Sequence, residues 1–215
     1  TEHFRCQAEI IRISDRLCRY GLQVLTPREG PRVPLPFLVE PVSLVDVDGT
    51  QERAGGSWYN RAELDHTLEL LHALAQHGVS PNDIAVITPY RGQLEQLRKR
   101  CSQAGFAIDR SMELADMEES LPTRANGIAL GTVHRFQGGE RSIVLFSCVI
   151  TRSASLAFVD ERANLLNVAV SRARHRLVVL GKAPVLAQGK LTRMLLDSAD
   201  SVRPEAFRMQ LGLGL

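Results

Sequence analysis

Apolar and polar positions alternate along the chain in two rhythms. Short, nearly continuous apolar runs occupy Ile84–Ile87, Ile128–Val133, Ser142–Ile150 and Arg176–Gly181. Runs of this length read as strands buried on both faces of a parallel sheet. Helical spacing fills the intervals. Residues 57–76 place Leu64, Leu68, Leu71 and Leu74 on one face and end at Gly78, a natural C-cap. Arg91–Ala104 is polar-rich and amphipathic and stops at Gly105; residues 161–174 and 184–199 follow helical spacing again. Upstream, Ile10, Ile13 and Leu17 mark a short helix within residues 1–20, and Phe37–Val47 is strand-like. Residues 26–36 carry four prolines, which remove donors and fix φ, so no regular element is expected there. Residues 109–126 are mostly polar and read as a loop. The alternation predicts an α/β domain, a mostly parallel sheet flanked by helices, over residues 37–200. An N-terminal segment with a Pro-rich linker (1–36) precedes it and a peripheral tail (201–215) follows.

In such sheets ligands lie beyond the carboxyl ends of the strands. Three polar clusters are expected to converge there: Thr88-Pro89-Tyr90, His134 to Glu140, and Arg172 with Arg174. Arginine is permanently charged and presents a rigid donor fork suited to phosphate. On a helix, Arg172 and Arg174 point to different faces, so Arg174 is equally well read as a structural ion-pair partner. Thr88, Tyr90, Gln93, Thr132 and His134 carry hydroxyl, amide and ring groups that suit a nucleic-acid strand. Thr88 and Tyr90 have an equal alternative in capping the helix that follows them. Asn60 and Glu63 are read first as a helix cap and a favourable first-turn charge.

Composition narrows the classes. Apolar content of 44% and charged content of 23% are ordinary for a globular domain, and 215 residues can bury a sizeable core. No apolar run approaches a membrane span, and residues 1–20 lack the pattern of a signal peptide. The four cysteines show no CxxC pairing, so a reducing compartment is expected: the cytoplasm, or the nucleus in a eukaryote. A net charge of +2 requires any nucleic-acid surface to be a local patch. No metal site is expected, since His134 has no second ligand at suitable spacing. The start at Thr1 suggests a piece of a longer protein.

Four segments, in order, carry a family resemblance. Thr132–Glu140 and Asn167–Arg174 resemble motifs V and VI of superfamily 1 helicases of the Upf-like (nonsense-mediated-decay helicase) branch. Ile87–Gln93 is similar to that branch's Thr-Pro-Tyr-x-x-Gln segment, and Glu2–Cys6 to its Gln-Tyr-Arg-Met motif. The resemblance implies the second, C-terminal RecA-like domain of an ATP-dependent DNA or RNA helicase. It implies Arg172 as an arginine finger on the γ-phosphate of ATP, Arg5 as a second γ-phosphate arginine, and Phe4 stacked on adenine without the commoner tyrosine's hydroxyl. Glu140 would face the ribose, and Gln137 and Gly138 would shape the turn between nucleotide and nucleic acid. The implied partners are single-stranded DNA or RNA and the N-terminal RecA-like domain of the same protein.

The sequence contains neither a GxxxxGK[ST] phosphate loop nor the family's Asp-Glu Mg²⁺ motif. ATP and Mg²⁺ are therefore expected to be held mainly by the first RecA-like domain. The alternative is a degenerate RecA-like docking module without motor activity, against which Arg172, Gln137 and Glu140 all argue. A stand-alone nuclease would need an acidic cluster with a lysine, which the sequence does not offer. The isolated chain should show no ATPase at any nucleotide concentration, and measurable turnover in a clean preparation would contradict the two-domain reading.

Overall fold

A computed structural model describes residues 2–3, 6–21, 23–24, 34–109, 126–136 and 139–212. Its centre is a seven-stranded sheet of β3 (Val42–Asp46), β6 (Ile84–Thr88), β7 (Ile108–Asp109), β8 (Ile128–Thr132), β9 (Arg141–Ser147), β10 (Ala173–Gly181) and β11 (Asp200–Val202). The order is β11-β3-β10-β9-β6-β8-β7, and each pairing is parallel. Side chains alternate across the strands. Val144, Phe146, Leu177 and Val179 face one layer, and Ile143, Leu145, Val178 and Leu180 face the other. Burial on both faces explains why these strands read as unbroken apolar runs.

The first layer holds α1 (Ala8–Cys18), α4 (Ala157–Asp160), α5 (Ala163–Ser171), α6 (Ala183–Leu186) and α7 (Lys190–Leu196). Ile10, Ile13 and Leu17 fasten α1 to this layer. The second holds α2 (Arg61–Gln76), α3 (Arg91–Gln103) and α8 (Pro204–Gln210). Two small pairs complete the fold: β1 (Glu2–His3) with β2 (Gln23–Val24), and the antiparallel hairpin of β4 (Gln51–Ala54) and β5 (Ser57–Asn60).

Several expected boundaries are corrected. The helix expected from Ser57 starts at Arg61, because Asn60 caps it and Ser57–Asn60 pairs in the hairpin turned by Gly55-Gly56. The strand expected over Phe37–Val47 spans only Val42–Asp46, after the prolines at 36 and 41. The helix expected to reach Arg174 ends at Ser171, and Arg174 belongs to β10. The closing helix breaks at Gly189 into α6 and α7, and the Asp160 carboxylate accepts from the Lys190 and Thr192 backbone N–H groups at 2.7 and 2.9 Å. The 109–126 loop lies largely outside the described residues.

The tail expected to be peripheral is integral. β11 pairs with β3, Phe207 on α8 is fully buried, and Arg208 pairs with Glu69 of α2 at 3.0 Å. Phe207→Ala should lower unfolding free energy by roughly 3–5 kcal/mol in urea denaturation, whereas a loss under ~0.5 kcal/mol would return the tail to a peripheral role.

Candidate functional site

Thr88 and Thr132 end the adjacent strands β6 and β8 at the same level. Both threonines are almost enclosed, at 0% and 5% exposure, because β6 lies between β8 and β9. The chain then turns at the exposed His134 and tucks Phe136 back against β8. Gly131 permits this return, since a Cβ there would lie 2.7 Å from the Phe136 ring. Three clefts meet at His134. One of about 690 Å³ runs past Phe136 and Asn164 to Arg172; one of about 210 Å³ lies between Thr132 and Arg98; one of about 560 Å³ is bounded by Trp58, Tyr90 and Phe158. Tyr90 sits with its ring centroid 5.2 Å from that of Phe158, and burial pushes its phenol up to about 12.

Two expected strand contacts do not reach these clefts. Gln93 is fully buried, its amide donating to Ser147 Oγ at 2.8 Å and accepting from Asn60 N at 2.8 Å. Both ends of the side chain are engaged, so it is a structural residue. The Thr88 side chain is likewise enclosed and its hydroxyl accepts from Tyr90 N at 3.4 Å; the capping alternative is corrected, since the N-cap of α3 is Tyr90 and carries no side-chain cap bond. Tyr90, Thr132 and His134 do line clefts.

Gln93 belongs to a network centred on Glu63, which is fully buried in the first turn of α2. Its carboxylate accepts from Ser147 Oγ at 2.6 Å, Asn60 Nδ2 at 3.1 Å and Val149 N at 2.9 Å. Val149 adopts φ 70°, costly for a β-branched residue, and this turns its N–H toward Glu63. Burial raises the Glu63 pKa to about 7 against the hydrogen bonds from Ser147, Val149 and Asn60, which lower it.

Arg172 stands elsewhere. Arg141 N donates to Arg172 O at 2.9 Å, and Ala173 is level with Arg141, so Arg172 and Arg174 mark the amino ends of β9 and β10. The seven-residue β9 separates that level from the carboxyl edge by ~20 Å. The expected convergence of three clusters on one edge is therefore corrected. What joins them is the turn after β8, whose Val133, His134 and Phe136 line the cleft of about 690 Å³ together with Arg172. Arg172 is the C-cap of α5, where the helix dipole favours a cation. Its Nε is shielded from solvent and has no hydrogen-bond partner among the described residues. Arg174 instead pairs with Glu140, Nε to Oε2 at 2.9 Å, as the ion-pair alternative anticipated. Phe4, Arg5, Gln137 and Gly138 lie outside the described residues.

Trp58 and Phe158 were missed as cleft residues. The Gly55-Gly56 turn between short alternating segments was the available signal for the hairpin that carries Trp58. Nothing local announces Phe158.

The Glu63 shift has a definite sign. Its carboxyl titrates near 4.5 when unfolded and near 7 when folded, so the folded chain binds the extra proton between those values. Stability should be greatest below pH 4.5 as far as this group decides it, and fall by up to ~3 kcal/mol as pH rises to 7. Urea denaturation from pH 5 to 8 should show this fall in the wild type and a flatter profile in Glu63→Gln; superimposable profiles would contradict it.

Residues 2–184 match the family described as AAA domain. The chain is 29% identical over 174 residues to the regulator of nonsense transcripts 1 homolog of Drosophila melanogaster, covering 80% of this chain and 13% of that protein. It is 33% identical over 171 residues to human RNA helicase Mov10l1, covering 73% of this chain and 12% of the relative. The chain thus spans about an eighth of these relatives' length. The C-terminal domain of a possible DNA helicase from Lactobacillus plantarum shares the fold, with TM-score 0.54, 16% identity and coverage of 92% and 98%. With the match extending from Glu2 through β10 into α6, the chain belongs to the AAA domain family, in the form of the C-terminal RecA-like region of Upf-like superfamily 1 helicases.

Proposed function

We propose that the chain is the C-terminal half of an ATP-dependent helicase motor, supplying an arginine finger and part of a single-strand track. The observation that carries this reading is Arg172. Charged side chains rarely hold a shielded nitrogen without a partner. Here that nitrogen belongs to a half-buried guanidinium at a helix C-terminus, bordering a cleft of about 690 Å³. Such a group fits phosphate oxygens that arrive from outside the chain. Arg162 and His134 line the same cleft and add donors; Glu161 is its one acidic member among the described residues. Mg²⁺ would be held by carboxylate and phosphate oxygens and would supply charge neutralisation on the triphosphate. This cleft offers no carboxylate set for it, so the ion belongs with the first RecA-like domain in this proposal.

The remaining roles follow from the resemblance. Arg5 would reach the γ-phosphate and Phe4 the adenine, with Gln137 and Gly138 in the turn that approaches the nucleotide. Glu140 would accept from the ribose, its carboxylate oriented by Arg174. Thr132, Tyr90 and His134 would face single-stranded DNA or RNA. ATP binding across the domain cleft would draw the two halves together and hydrolysis would release them, shifting the grip on the strand. No disulfide joins cysteines among the described residues, and a cytoplasmic or nuclear setting is part of the proposal.

In the parent protein, Arg172→Ala should cut nucleic-acid-stimulated ATPase by about three decades or more while leaving ATP affinity nearly unchanged. Wild-type turnover in that variant would remove Arg172 from the role.

A further inference from the structure

The β4–β5 hairpin has no part in the reading above, yet it walls the cleft of about 560 Å³. It brings there Trp58, the chain's single tryptophan, and Tyr90, Phe158, Arg91 and His134 are among the other lining residues. The hairpin is fastened at its base. Gln51 N donates to Thr151 Oγ1 at 2.9 Å, Gln51 Nε2 donates to Ser155 Oγ at 3.0 Å, and Gln51 Oε1 accepts from Thr151 N at 3.2 Å. On the other strand, Asn60 N donates to Gln93. Gly92 lets the first turn of α3 close against the hairpin, since a Cβ there would lie 2.9 Å from the Trp58 carbonyl oxygen. Trp58 is therefore carried on a fixed frame while its side chain stays only partly buried.

The chemistry of the lining is specific. Tyr90 and Phe158 lie side by side with an interplanar angle of 30°. The Arg53 guanidinium lies 4.9 Å from the Trp58 ring centroid, and that of Arg162 lies 5.0 Å from Phe158. Among the described residues no carboxylate lines the cleft. An apolar peptide segment would have no use for Arg91 in the lining and guanidinium groups on two of its rings, and a free phosphate would have none for three aromatic rings. Aromatic faces flanked by guanidinium groups match a nucleobase joined to its phosphates. The cleft also opens at His134, so it is continuous with the track already described.

We propose that the cleft between the β4–β5 hairpin and α4 holds one unpaired nucleobase, stacked at Trp58, with Arg91 and His134 toward its phosphates. This rests on the single-strand reading above and adds the hairpin to it.

Because Trp58 is the single tryptophan, its emission reports on this site alone. The 215-residue chain is titrated at low salt with oligo-dT of about fifteen nucleotides and with an abasic strand of equal length, matching the few to sixteen nucleotides of known single-strand sites. Unlabelled strand is followed by tryptophan emission and end-labelled strand by anisotropy. Oligo-dT should quench Trp58 with the same midpoint as the anisotropy rise, and the abasic strand should not quench. Trp58→Ala should weaken oligo-dT binding about tenfold, ~1.4 kcal/mol, while Trp58→Phe, which keeps a stacking face, stays within about threefold. Oligo-dT bound by anisotropy with unchanged Trp58 emission and wild-type affinity in Trp58→Ala would overturn the cleft and leave the single-strand reading intact. No oligo-dT binding at all would overturn both.

Discussion

The arrangement depends on one buried carboxylate. Glu63 joins the start of α2, the end of β9 and, through Ser147 and Gln93, the start of α3 and the base of the hairpin. A polar group buried without water is costly unless hydrogen-bonded, more so as it ionises, and a carboxyl with only part of its partners is costlier still. Each donor is therefore constrained by the others, down to the left-handed backbone at Val149. The consequence is positional. The hairpin, Tyr90 and the turn after β9 are fixed relative to one another, and these elements bound the cleft at Trp58.

The sheet then separates two tasks by the length of a strand. The groups proposed to face a nucleic-acid strand gather at the carboxyl ends of β6 and β8, and the arginine proposed to face phosphate stands at the amino end of β10. The turn after β8 and α5 border one cleft. Val133 and Phe136 are buried with Leu165, Leu166 and Val170 in the same core, so in the proposed motor packing would carry a displacement at His134 to the helix that ends in Arg172. This is the physical link by which a nucleotide on one side and a strand on the other would sense each other.

Legibility in the sequence followed the range of the interactions. The central strands were readable because burial on both faces leaves an unbroken apolar run, and α3 because its period is local. Phe37–Pro41 and Ser57–Asn60 were misplaced where prolines and a double-glycine turn overrode an apolar trend. Gln93 read as a surface amide because its partners, Asn60 and Ser147, lie 33 and 54 positions away. Phe207 read as tail for the same reason: its partners are on α2, far upstream. Arg172 and Thr132 lie at opposite edges because one precedes its strand and the other ends its strand in a parallel sheet, a consequence of chain direction that the positions of the apolar runs already implied. The ion pair of Arg174 was readable as an alternative, but its partner Glu140 was not.

The central claim is that this chain completes a nucleotide site whose phosphates are held elsewhere. Its most direct measurement is a titration of this chain into the separately produced first RecA-like domain, with ATP and a single strand present and phosphate release as the readout. Turnover should rise with the chain and saturate as the two halves assemble. Turnover by the first domain alone at the rate of the saturated mixture would contradict it.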